Sequence, residues 1–204
     1  VNHVKVGAFD IDGIMRGKYI SRDKFLSSLD GGFGFCDVVL GWDCQDQLYD
    51  NVKYTGWHTG YPDAPVRLLP DTCRLLPFED NGLFFLGEFS PPAETVCPRG
   101  LLRRVLERGR AMGFEAYVGF EYEFFVFKET PESVREKNYR GLTPMAPGWF
   151  GYSVIRNSTG NAFYRQLLDH CRDMDMAIEG LHEETGPGVM EAAITVDKAL
   201  AAAD

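Results

Sequence analysis

One octapeptide constrains this chain more than any other: Phe120-Glu121-Tyr122-Glu123-Phe124-Phe125-Val126-Phe127. Its aromatic and β-branched residues favour an extended strand. Side chains alternate along a strand, so Glu121 and Glu123 share one face, and Phe120, Tyr122, Phe124 and Val126 share the other. The second face is expected to pack into a core. Two neighbouring carboxylates in so apolar a strand repel each other and resist burial. A divalent cation bound by both resolves the conflict. Exposure of that face to water resolves it equally well, and the pattern leaves both readings open.

A second acidic set follows at Glu179, Glu183, Glu184 and Glu191. Gly186-Pro187-Gly188 predicts a tight turn, and a turn there brings Glu184 and Glu191 towards one site. Charged loops commonly just face water. Taken with Glu121 and Glu123, however, the set supplies four carboxylates, enough for a pair of hard ions of the Mg2+ or Mn2+ type, which prefer oxygen ligands.

The rest of the chain narrows the partners. Lys and Arg total 21 against 30 Asp and Glu, a formal charge of −9 over 204 residues. That balance argues against nucleic acid, which needs a basic face. No apolar run reaches the roughly 18 residues of a membrane span, so no membrane partner is expected. Val1-Asn2-His3-Val4-Lys5 lacks the apolar stretch of a signal peptide. The five cysteines are odd in number and form no CxxC pair, as expected of reduced thiols in a cytoplasmic protein. There is no GxxxxGK[ST] loop, so any ATP site is of another kind.

Strands are predicted at residues 4–11, 14–20, 66–69, 73–76 and 83–88, with a short helix from Ser21. Residues 30–65 show no sustained period. Ser90-Pro91-Pro92 marks a boundary, and Pro98 opens a helix to about Met112 with Leu101, Leu102, Val105 and Leu106 on one face. A strand at 115–127, a loop at 129–152, a helix at 161–175 and strands near 177–181 and 189–196 follow. Asp197 to Asp204 read as the first turns of a helix, as in a piece of a longer protein.

Phe120-Glu121-Tyr122-Glu123-Phe124-Phe125 resembles the E-x-E strand of glutamine synthetases, roughly G-x-E-x-E-F-F. Glu179 to Glu191 resembles that family's second acidic stretch, roughly E-x-x-x-x-E-x-x-P-G-Q-x-E. Leu68-Leu69-Pro70-Asp71-Thr72 looks like its L-x-P-D-x-x-T element. The resemblance implies an α+β chain: an N-terminal β-grasp-like domain over 1–92, then the first part of a glutamine synthetase-type catalytic α/β domain over 93–204. It implies Glu121, Glu123, Glu184 and Glu191 as metal ligands, with Glu183 a competing choice for Glu184, and Glu179 near the nucleotide. Asp50 and Asp63 are candidates for the N-domain Asp that helps deprotonate ammonium. Val189 stands where the family usually has Gln, which suggests a branch that uses an amine other than ammonia.

The activity implied is a ligase of nitrogen metabolism. ATP phosphorylates the glutamate side chain, and ammonia or an amine displaces phosphate, with Mg2+ or Mn2+ as cofactor. The active sites are expected between subunits of a double-ring homo-oligomer, and the isolated chain is expected to be inactive or severely impaired.

Two rivals stand beside this reading. Phe9-Asp10-Ile11-Asp12-Gly13 looks like the D-x-D-G motif of haloacid-dehalogenase-type phosphatases, with Asp10 as nucleophile and Asp12 as general acid. Asp12-Gly13 is equally a strong hairpin-turn signal. A synthetase-like protein without catalysis is the other. His182 reads as a strand-end residue rather than a ligand, since no second His completes an HExxH motif.

Overall fold

The computed structural model describes residues 1–80 and 82–204. It divides into two compact units, Val1–Ala116 with Ala199–Asp204, and Tyr117–Lys198.

The first unit is built on a five-stranded mixed sheet of order β2-β1-β5-β4-β3. Strands β1 (His3–Phe9) and β2 (Met15–Ser21) form the antiparallel hairpin that Asp12-Gly13 predicts. Ser21 then caps helix α1 (Arg22–Gly31), its Oγ accepting the Lys24 amide at 3.2 Å. Phe25 of α1 lies 4.5 Å, centroid to centroid, from Phe85 of β5 (Gly82–Phe89), which seats the helix on the sheet. β1 and β5 run parallel at the sheet's centre, the arrangement expected of a β-grasp-like domain. Val4, Val6, Ala8, Val66, Leu68, Phe85 and Phe89 fill the core between them.

Three expectations change here. Residues 66–69 and 73–76 belong to one strand, β4 (Asp63–Leu76), with a bulge between Leu69 and Arg74. Pro70 has no amide to give to the ladder. Thr72 stitches the bulge instead, donating its hydroxyl to the Leu69 carbonyl at 2.6 Å and accepting the Leu86 amide at 2.9 Å. The aperiodic stretch 30–65 contains a short edge strand, β3 (Phe33–Cys36), paired with the start of β4. The helix α2 (Pro98–Ala111) starts at Pro98 as predicted, but Leu101 and Val105 are exposed. It turns Arg99 and Arg103 inward to Glu88 of β5. That contact places α2 in the first compact unit.

The second unit carries a three-stranded antiparallel sheet of order β7-β9-β8. The predicted strand 115–127 is two pieces, β6 (Tyr117–Val118) and β7 (Glu121–Phe125). They part at Gly119-Phe120 because their partners differ: β6 pairs with β10 (Asp197–Lys198), and β7 with β9 (Val189–Ile194). β10 replaces the start of the predicted terminal helix, which begins at Ala199 as α6 (Ala199–Ala203). β8 (Ile178–Glu183) completes the sheet, and α5 (Asn161–Asp173) packs on it through the buried Tyr164. The expected core face of β7 is not covered: Phe120 is 38% and Tyr122 52% exposed. No other described segment covers those two rings.

The predicted loop 129–152 holds a helix, α3 (Pro131–Glu136), and α4 (Val154–Thr159) follows it. Thr130 and Ser133 form a reciprocal capping box with Pro131 at the first position, a legible start signal. Glu129 ties the segment together. It accepts from the Thr143 amide at 2.6 Å and from Ser133 Oγ at 2.6 Å, and it pairs with Lys137. These donors, Lys137 foremost, hold its carboxyl at about 2 instead of the ordinary 4.5. A lowered folded-state pKa contributes stability above the ordinary value and loses it as pH falls through the folded one. The protection factor of the Thr143 amide, its exchange rate relative to an unprotected amide at the same pH, is therefore expected to hold at pH 5 and to fall as pH drops from about 4.5 towards 2. Protection unchanged over that window would remove Glu129 as the tie. Among the described residues, no helix is long and apolar enough to cross a membrane.

Candidate functional site

Strand register builds the site. Glu123 of β7 lies directly across from Glu191 of β9, and Glu191 directly across from His182 of β8. Side chains at directly paired positions point to the same face. Three functional groups from three strands therefore form one row. Alternation adds Glu121 to the same face from β7, and Glu184 from just beyond β8.

The β8–β9 turn sets Glu184. The Glu184 amide donates to the Val189 carbonyl at 2.9 Å and closes the turn. Gly188 sits at φ 75°, where a Cβ would meet the Val126 carbonyl oxygen at 2.7 Å. The Gly-Pro-Gly sequence is thus required by a left-handed residue and a close backbone approach. Val189 itself is buried.

Within the row the ligand atoms converge. His182 Nε2 lies 3.0 Å from Glu184 Oε1 and 3.7 Å from Glu191 Oε2. One ligand atom from each of the three residues lies within 4.8 Å of the others. The two carboxylates of that group offer the oxygen ligands a divalent cation prefers, with the imidazole beside them. Among the described residues this is the one such group of three or more. Glu121 and Glu123 share the face but stand outside that group.

Tyr152 covers the imidazole. Its ring stacks on His182 with centroids 4.3 Å apart and planes 17° apart. Its backbone is left-handed at φ 60°, held by donation of its amide to the Glu183 carbonyl at 2.8 Å. Such a conformation is uncommon for a bulky residue, and strain of this kind clusters at functional sites. The Thr185 amide, the Tyr152 hydroxyl and His182 together hold the Glu184 carboxyl at about 2. The same Glu184 contact pushes the Tyr152 phenol above its ordinary 10, with smaller contributions from Glu191 and Glu121.

The other expected residues fall elsewhere. Glu183 points to the opposite face, buried beside Tyr164, whose phenol is pushed up to about 12 by burial and by the charge of Glu183. The geometry therefore brings Glu184, and not Glu183, to Glu191. Glu179 is the exposed extra residue of a bulge between Ile178 and Gly180. Asp50 is exposed in an irregular segment of the first unit, and Asp63 opens β4 with its carboxylate packed over Gly34.

His182 stands near the end of its strand, as expected, and beside the two carboxylates. The signal was the i, i+2 spacing of His182 and Glu184, which puts both on one strand face. Tyr152 has no comparable local signal.

Asp10 is fully buried. One oxygen accepts the Asp12 and Ile14 amides at 3.0 and 2.8 Å, and the other accepts Arg16 Nε at 2.8 Å. Every interaction closes the β1–β2 hairpin. A nucleophile needs an accessible oxygen, and Asp10 offers none.

The sequence profile of the family described as "Glutamine synthetase, catalytic domain" matches residues 95–204. "Type-1 glutamine synthetase 2" of Dictyostelium discoideum is 44% identical over 98% of this chain and 39% of its own length. "Glutamate--isopropylamine ligase" of a Pseudomonas species is 31% identical over 100% of this chain and 45% of its own. A solved structure described as a novel glutamine synthase homolog superposes with a TM-score of 0.74 at 20% identity, over 99% of this chain and 45% of that one. The chain thus spans less than half the length of these relatives.

Proposed function

This chain belongs to the glutamine synthetase family, and we propose that it supplies the metal-holding part of an ATP-dependent ligase joining glutamate to an amine. The observation that carries this reading is the convergence of His182, Glu184 and Glu191 to within 4.8 Å. Glu184 and Glu191 would hold one Mg2+ or Mn2+ ion, with Glu121 and Glu123 on the same face extending the site to a second. Bound there, such ions offset phosphate charge and orient the transferring group. Glu179 would lie towards the nucleotide, and the catalytic domain would begin near residue 93.

The chemistry is a two-step transfer. The glutamate side-chain oxygen attacks the terminal phosphorus of ATP, forming γ-glutamyl phosphate and releasing ADP. The amine nitrogen then attacks the acyl carbon, the C–O bond to phosphate breaks, and the nitrogen loses a proton. The residues of this chain act by position and charge more than by proton transfer. The acceptor is proposed to be an alkylamine or ammonia. Two observations favour an amine beyond ammonia: Val189 at the turn, and the relative named as an isopropylamine ligase. A homo-oligomer with shared sites and a cytoplasmic location belong to the same proposal.

Phosphate release by the complete gene product with ATP, glutamate, Mn2+ and a panel of ammonia, isopropylamine, ethanolamine and a polyamine tests the activity. Release that requires one of these amines is expected. Metal binding with no release for any amine would favour the non-catalytic alternative. Calorimetric titration with Mn2+ separately tests the paired strand glutamates. The Glu121→Ala, Glu123→Ala double variant is expected to lose at least about tenfold in affinity, the scale on which site groups tune metal binding. Unchanged binding would sink their assignment as ligands.

A further inference from the structure

We propose that His182 is a positioning residue of the metal centre. It orients Glu184, the carboxylate beside Glu191, through its Nε2 and is itself held by Tyr152. The proposal rests on the metal reading above and adds a residue to it.

Four observations converge. Register alone fixes His182 beside Glu191, because the two are directly paired across β8 and β9. Nε2 then lies between the two carboxylates, at 3.0 Å from Glu184 and 3.7 Å from Glu191. A carboxylate at this contact only accepts, so Nε2 carries the hydrogen and donates it to Glu184 Oε1. The Tyr152 ring, 4.3 Å away and nearly parallel, blocks rotation of the imidazole out of the row. Glu184 is thereby held from both sides: His182 on Oε1, and the Thr185 amide on Oε2 at 2.8 Å.

Two like charges on adjacent strands would otherwise splay apart. A donor on Glu184 Oε1 fixes one of the two carboxylates before any cation arrives, so less ordering is left for binding to accomplish. Groups that orient ligands in this way are commonly worth 10–100-fold in metal affinity. The Tyr152 backbone at φ 60° has a rationale on this view, since it places the ring over His182 and the hydroxyl at Glu184.

The test is Mn2+ titration calorimetry on the chain as it stands, with His182→Ala and His182→Gln beside the wild type. Electron spin-echo spectra of bound Mn2+ accompany it. The Ala variant is expected to bind roughly 10–100-fold more weakly. The Gln variant, whose amide nitrogen reaches about the place of Nε2, is expected to recover most of the loss. The spectra are expected to lack the strong nitrogen coupling of a directly bound imidazole, since His182 acts through Glu184. Wild-type affinity in the Ala variant, no recovery with Gln, or direct nitrogen coupling would each overturn the positioning role. If the Ala variant does not fold, as read by circular dichroism, the Gln variant and the wild-type spectrum still decide. Absence of Mn2+ binding by the wild type overturns the metal reading and this role together. Wild-type binding with an unaffected Ala variant overturns the role alone.

Discussion

Replacing Glu88 with Ala is expected to lower the unfolding free energy of the first unit by about 3 kcal/mol, the lower end of the cost of breaking a buried ion pair. Glu88 is 1% exposed and faces three guanidinium groups. Arg67 reaches it from β4 at 2.6 Å, Arg103 from α2 at 3.1 Å, and Arg99 from α2 in the closest contact of the three. The penalty comes mostly from what remains. Arg99 is itself buried, so loss of Glu88 strands a charge away from water. Asp204 moderates it by keeping a two-point contact with Arg99 at 2.8 Å, which is why the lower end is expected. Arg67→Ala is the matched comparison. Its side chain is 53% exposed, and loss of an exposed partner costs about 0–1 kcal/mol. Urea unfolding followed by circular dichroism measures both. Equal, small losses for the two variants would show that the network is a surface feature with no part in seating α2.

Local sequence around Glu88 and α2 does not mark this network. Leu101, Leu102, Val105 and Leu106 announce an apolar helix face, and local periodicity makes that the inward one. The helix instead turns towards a buried carboxylate brought by β5, and Glu88 gives no sign in its own neighbourhood that it will be buried. Features carried by local chemistry were legible. Asp12-Gly13 specified the hairpin, Ser21 capped α1, Pro98 opened α2, and Gly186-Pro187-Gly188 made the turn beside Glu184. Features set by distant pairing were not. The division of 115–127 into β6 and β7 depends on β10 and β9, which lie far along the chain. The same holds for the site. The motifs pointed to the acidic residues, but only the pairing of Glu191 with His182 revealed the imidazole, and only a left-handed Tyr152 closed over it. The exposure of Tyr122 has a related cause: an alternating pattern shows that a face is apolar, but not which other segment lies against it.

Glu191→Gln is expected to reverse sign with metal, and this separates a site built for a cation from an acidic face that merely tolerates water. Without metal, Glu191 and Glu123 are like charges at directly paired positions, an arrangement that destabilises a sheet by about 0.2–1 kcal/mol. Gln keeps the shape and removes the repulsion, so in excess chelator the variant is expected to melt at or above the wild type. With Mn2+ at about 100 times its dissociation constant, the wild type gains about 2.7 kcal/mol by mass action. A variant bound about 100-fold more weakly gains only about 0.4 kcal/mol at the same concentration. The order of melting temperatures should therefore invert between chelator and Mn2+. Glu183→Gln is the control, because Glu183 is buried against Tyr164 on the other face and its substitution should act alike in both conditions. If the order of wild type and Glu191→Gln is the same with and without metal, Glu191 does not hold the ion. An inversion would explain a carboxylate that weakens its own sheet by the ion it holds, and would measure that trade directly.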